Sequence, residues 1–249
     1  MAHHAATLIL LTNIVGAALM PAFSPYHRIN QVPIHDVQQY LKELFQLKGH
    51  PGAIRVDNGE PLGSPKKGVT TALALWLIGS GIKMIWNRPF SPKDNAKVER
   101  NQDTTWRWSE IAKAQSYAQA QQKLNEAVRI QREQYPVTRL NRKTRAQAYP
   151  ALCQKAREWN PGLVDSNNVY QFLAQKVFTR KVSQAGQINL FGRKCTVESK
   201  CKGQYVQLKM DPQKKVWIIY DQQDQKIKEQ PTPYFSTENI INLTVFKKE

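Results

Sequence analysis

The chain has 249 residues, a formal net charge of +17 and an isoelectric point near 9.9. That length can bury a real core and holds two modest domains, and so positive a chain takes a polyanion as its default partner. Disulfide scaffolds, structural zinc and a membrane role are excluded. Cys153, Cys195 and Cys201 form no Cys-x-x-Cys pair and suit a reducing cytosol. The apolar run Leu8 to Phe23 is short, is broken by Thr12 and Asn13, and has no Lys or Arg ahead of it, so it reads as neither span nor export signal.

In chain order, Thr7 to Leu11 and Ala17 to Phe23 read as two buried strands joined near Asn13 to Gly16. Pro33 to Leu47 carries Val37, Tyr40, Leu41, Leu44 and Leu47 at helical spacing, and Gly49 with Pro51 stops it. Ile54 to Val56 is a strand that delivers Asp57 to its tip before the Asn58-Gly59 turn. Thr70 to Ile78 reads as a short buried helix and Lys83 to Trp86 as a strand. From Asp94 onward a long helix begins, with Glu99 in its first turn. Either acidic motif has a plain structural reading, since Asp-Asn-Gly is a common turn and the helix dipole favours a first-turn glutamate. Together they bring two hard oxygen donors of the kind Mg²⁺ selects.

Helical character continues from Arg100 to Tyr135, with Tyr117, Leu124, Val128 and Tyr135 as a packing stripe, and Pro136 closes it. Trp106 and Trp108 are read as packing residues, with base stacking as the alternative. The basic run Arg139 to Arg145, which includes Arg142, Lys143 and Arg145, is either a solvated linker or a phosphate contact. Beyond Pro161-Gly162, five β-type runs follow: Lys176 to Val182, Gly186 to Phe191, Lys194 to Glu198, Tyr205 to Met210 and Val216 to Tyr220. Their near-regular spacing predicts a small barrel. Between Gln171 and Lys215 ten Lys or Arg, Arg180 and Lys181 among them, stand against two acids, Glu198 and Asp211, an electrostatic footprint for DNA backbone. Lys226 to Glu249 reads as a tail of weak strand character.

The segments Arg55-Val56-Asp57-Asn58-Gly59, Ile82-Lys83-Met84-Ile85, Arg88-Pro89-Phe90-Ser91-Pro92 and Asn95-Ala96-Lys97-Val98-Glu99-Arg100 resemble the catalytic core of DDE transposases and retroviral integrases. In that family the second aspartate precedes Asn-Gly, and the catalytic glutamate lies in a segment of the form Asn-Gly-Lys-Val-Glu-Arg. Ala96 replaces the usual Gly here, and the interval from Asp57 to Glu99 is longer than the family's commonest spacing, which fits an insertion at Gly63 to Gly68. The resemblance implies an α/β chain: a ribonuclease H-like mixed sheet with flanking helices, followed by a small all-β barrel like that of phage Mu-type transposases. The expected organisation is a core over 1–135, a helical basic linker over 136–168, a barrel over 169–232 and a tail over 233–249.

What the resemblance implies about activity is metal-dependent phosphodiester cleavage and strand transfer on DNA. Asp57 and Glu99 would be catalytic and would hold Mg²⁺ or Mn²⁺, and Lys93, Asn95, Lys97 and Arg100 would hold DNA backbone beside Glu99. The family's first catalytic aspartate sits on a strand ahead of the one placed at Thr7 to Leu11, where only Met1 to Ala6 stand. The expectation is therefore a core incomplete at its N-terminus, with its first strand missing and little or no strand transfer by this chain alone. The alternatives are a non-catalytic DNA-binding regulator of transposition and a structural or RNA-binding basic protein. DNA is the expected partner, with a homo-oligomer on DNA and no membrane, in the cytoplasm and at the nucleoid when DNA-bound.

Overall fold

The computed structural model describes residues 33–56, 61–62, 70–88, 93, 96–150 and 157–246. The strands expected at Thr7 to Leu11 and Ala17 to Phe23 lie outside the described residues. The chain is a mixed α/β protein and divides into two compact units, one formed by 1–62 with 83–160 and the other by 63–82 with 161–249.

In the first unit, α1 (Ile34–Lys48) turns Gln38, Leu41 and Phe45 inward at three- and four-residue spacing. It stops at Gly49, whose φ of 91° is left-handed and whose N–H donates to the Phe45 carbonyl at 2.9 Å. Next, β1 (Ala53–Val56) buries Ile54 and Val56 and pairs in parallel with β2 (Lys83–Trp86), Ala53 opposite Lys83 and Val56 opposite Trp86. The Asn87 N–H donates to the Val56 carbonyl at 2.9 Å, so pairing persists to the last described residue before Asp57.

The long helix expected from Asp94 to Tyr135 is broken. α3 (Ala96–Ser109) ends where Glu110 adopts a left-handed φ of 47°, a short 3₁₀ turn follows, and α4 (Tyr117–Arg129) restarts on a new cap. The Ser116 hydroxyl accepts from the Gln119 N–H at 3.2 Å, and the Gln119 side chain accepts from the Gln115 N–H at 2.6 Å. Ile111, Ala120 and Leu124 form the small core beneath this corner. α4 runs into a π turn over Ile130–Gln134, and the basic run then folds as a 3₁₀ turn and α5 (Arg145–Ala148), capped reciprocally by Thr144 and Gln147.

In the second unit, α2 (Ala72–Gly79) is buried on every side, which accounts for an apolar run without amphipathic periodicity. It packs against α6 (Ser166–Ala174) and α7 (Thr237–Ile241). A Cβ at Gly79 would lie 3.2 Å from Ile240 and 3.3 Å from Val164, so this approach is close enough to favour glycine. The strands β3 (Val177–Lys181), β6 (Tyr205–Asp211), β7 (Val216–Tyr220) and β8 (Lys226–Pro231) form an antiparallel sheet in the order β3-β6-β7-β8. β4 (Gln187–Leu190) and β5 (Arg193–Thr196) form a separate hairpin turned by Phe191 and Gly192, both at positive φ as a two-residue loop requires.

Two expectations are corrected here. The described strands form an open sheet and a hairpin rather than a closed barrel. The segment from Lys226 is no tail, because β8 completes the sheet and Phe235, Ile240 and Val245 are fully buried beyond it. The core joins Phe178, Phe191, Trp217 and Phe235, with Phe191 stacked 5.7 Å from Trp217 and edge-on 5.2 Å from Phe235. Among the described residues no helix is long and apolar enough to cross a membrane.

Candidate nucleic-acid interface

The strand pair and helix of the first unit are the elements on which the acidic pair was expected. Asp57 itself lies outside the described residues, as does Asn95, while β1 ends one residue before Asp57. Glu99 occupies the first turn of α3 and is exposed, where the positive end of the helix dipole favours a carboxylate. Its place on the helix follows from the buried face. Thr105 and Ser109 are buried one turn apart, and Glu99, six residues before the first and ten before the second, falls roughly 120° and 80° from them around the axis, on the flank of that face.

The side chains described as buried on α3, Thr105 and Ser109, are polar. Thr105 donates to the Asn101 carbonyl at 2.8 Å and accepts from the Gln131 side-chain amide at 2.9 Å. The Gln131 carbonyl in turn accepts from Arg145 at 2.7 Å. A buried network of this kind fixes the rotation of α3 only if each group is satisfied, and here the chain Thr105–Gln131–Arg145 is continuous.

Arg145 therefore differs from its sequence reading as a DNA contact. Its guanidinium holds a backbone carbonyl, and burial, with Arg139 nearby, lowers its pKa. Arg142 and Lys143 are exposed at a turn where Asn141 and Arg142 both adopt left-handed φ, so their charges face solvent. Lys93 and Arg100 are exposed too; Lys97 lies on α3. In the second unit Lys181 is exposed on β3, whereas Arg180 is half-buried, donates to the Thr179 carbonyl at 2.8 Å and sits 5.8 Å from the centre of the Phe178 ring. Desolvation lowers the Arg180 pKa.

The tryptophans of α3 also depart from expectation. Trp106 is 44% exposed and Trp108 39%, the latter edge-on to Tyr135 at 5.0 Å, so the indoles and the closing tyrosine of the supposed packing stripe lie at the surface. Sequence reasoning passed over the Ser116–Gln119 capping pair, whose spacing marks a helix start and hence the break that brings these rings outward.

Glu99 suits Mg²⁺ as one hard oxygen donor. Among the described residues no group of three or more His, Cys, Asp or Glu side chains is placed to hold a metal, so its companions would be Asp57, water or DNA phosphate. No protein-family model matches the chain.

Proposed function

We propose that this chain is a DNA-binding protein of the DDE transposase and integrase lineage, with a ribonuclease H-like first unit. The observation that supports this most is the order of parts: the parallel strand that runs into Asp57-Asn58-Gly59, its partner Lys83–Trp86, and the helix that exposes Glu99 in its first turn. An ion held there by Asp57 and Glu99 would polarise a phosphodiester and stabilise the oxygens that attack and leave. Lys93 and Arg100 supply exposed positive charge close to Glu99 in the chain, and Arg142 and Lys143 offer phosphate contacts that need neither carboxylate.

Asp57 and Glu99 supply two of the family's three carboxylates, and duplex DNA binding needs neither of them. A regulator that occupies element ends is the second reading, favoured by the exposed Arg142–Lys143 turn. Gel-shift titration of duplex DNA, with supercoiled-plasmid nicking in Mg²⁺ and Mn²⁺, separates the cases. Duplex binding with no nicking, unchanged in Glu99→Gln, is the expected result for a binding protein. Metal-dependent nicking abolished by Glu99→Gln would restore the catalytic reading, and no affinity for duplex DNA would sink the proposal.

A further inference from the structure

The four-stranded sheet has one face turned to the core and one turned to water. Strand pleating puts Phe178, Val206, Leu208, Met210, Trp217 and Ile219 inward, all buried. Outward stand Val177, Thr179 and Lys181 on β3, Tyr205, Gln207 and Lys209 on β6, and Ile218 and Tyr220 on β7. Val177 is 57% exposed and Tyr205 53%.

Register brings the aromatic groups together. Tyr205 pairs with Lys181, and the next outward residue on β6, Gln207, pairs with both Thr179 and Tyr220. Tyr205 and Tyr220 are thus diagonal neighbours on adjacent strands, about 7–8 Å apart. That separation lets two successive bases of an unstacked strand each meet a ring, while Gln207 and Thr179 between them offer amide and hydroxyl groups to base edges.

The charge around these rings is uneven. On the β7–β8 side the lysines are engaged: Lys209 lies 3.6 Å from Asp224 and 4.9 Å from the centre of the Tyr220 ring, and Lys226 and Lys214 hold Glu229 at 2.7 and 3.3 Å. At the β3–β6 edge Lys181 is exposed, as is Lys202 in the loop that leads into β6, and neither forms an ion pair among the described residues. The geometry points to a single-stranded DNA surface on the outer face of this sheet, with bases stacked on Tyr205 and Tyr220 and the phosphate backbone running past Lys181 and Lys202. A protein partner would gain little from unpaired lysines flanking one exposed and one half-buried ring, whereas a polyanion with π faces complements both.

The choice of DNA over RNA rests on the proposed function; the unpaired strand rests on the sheet alone. The test is fluorescence anisotropy of the full chain with labelled oligothymidylate, oligouridylate and mixed-sequence duplex DNA, across a range of salt. The expected result is binding of oligothymidylate that weakens about five- to a hundredfold in Tyr205→Ala and in Tyr220→Ala and is retained in the phenylalanine variants, because stacking needs the ring and not the hydroxyl. Lys181→Gln lowers the salt slope by about 0.7. Circular dichroism confirms that each variant folds, as expected for side chains that point away from the core.

Alanine variants that are folded and bind like the parent would overturn the inference. So would failure to bind oligothymidylate, and if duplex DNA is still bound the proposed function stands without it. Tighter binding of oligouridylate overturns the assignment to DNA.

Discussion

Replacing Tyr234 by Phe isolates one buried hydrogen bond in the core of the second unit. The indole N–H of Trp217, fully buried, donates to the Tyr234 hydroxyl at 3.0 Å. The substitution keeps the ring, and so keeps the Arg193 guanidinium 4.4 Å from its centre and the ring's contact with Phe235. What it removes is the acceptor, leaving a buried donor unsatisfied at a cost of about 1–3 kcal/mol. Replacing Trp217 by Phe deletes the donor at a separate packing cost, and in that background the loss of the Tyr234 hydroxyl falls to about 0.5 kcal/mol or less. Urea unfolding of the four proteins, followed by circular dichroism, measures the cycle. Equal costs for Tyr234→Phe in both backgrounds would refute the hydrogen bond as the source. A related check is the phenol's titration, which burial pushes up to about 12, so Tyr234 ionises at higher pH than an exposed tyrosine.

The basic run and the chain's two flanks give further tests. Arg145→Ala lowers the thermal midpoint, by leaving the Gln131 carbonyl without its donor, more than it lowers DNA affinity; the double substitution Arg142→Gln and Lys143→Gln leaves the midpoint in place and reduces the salt slope of duplex binding by about 1.8. Ile240→Ala, at a fully buried site over Gly79, costs about 2–5 kcal/mol in urea unfolding, where a tail residue would cost nothing measurable. His50 is buried beside Phe45 and Arg157, and its pKa falls from 6.5 to about 4, chiefly through burial and then through Arg157. The unfolded chain takes up this proton near pH 6.5 and the folded one does not. Stability is therefore complete above pH 6.5 and declines by about 1–2 kcal/mol as pH falls toward 4. His50→Gln flattens that decline in a pH series of thermal melts, and an unchanged slope would remove His50 as its cause.

Much of the local structure was legible because single segments carry it. Alternating burial marks β6 and β7, and α1 ends at a glycine whose left-handed φ has no other easy occupant, although the face it buries is Gln38, Leu41 and Phe45 rather than the expected stripe, whose Leu47 is 64% exposed. The missed features depend on contacts far along the chain. Strand spacing from Lys176 to Tyr220 resembles that of a barrel, yet closure is a pairing between edges, and here β8 takes the place beside β7 while β4 and β5 pair with each other. The C-terminal segment has Pro231 and Pro233 and a helix of only five residues, so its periodicity is too short to read, although Phe235 and Ile240 complete the core. Trp106 and Trp108 were assigned to packing on residue type alone. Both are exposed, and just beyond them the chain leaves the helix at Glu110 in a left-handed conformation that only the capping pair downstream hints at.

The two candidate surfaces are built on opposite principles, and this bears on how a substitution at each should be judged. The helix that carries Glu99 is tied to its surroundings by polar groups: Thr105 accepts from the Gln131 amide and the Gln131 carbonyl accepts from Arg145, hydrogen bonds that lose their value if one member is removed. Damage to the network therefore reaches Glu99 without touching it, and a loss of function at Arg145 is evidence about positioning before it is evidence about DNA. The sheet face is held by an aromatic core. Tyr205 and Tyr220 stand on strands whose inward neighbours, Val206, Leu208 and Ile219, are fully or almost fully buried, so pleating keeps them outward whatever occupies their positions. A change in binding at those tyrosines can be assigned to the ring itself, and for that reason the sheet face is the surface on which single substitutions speak most directly about recognition.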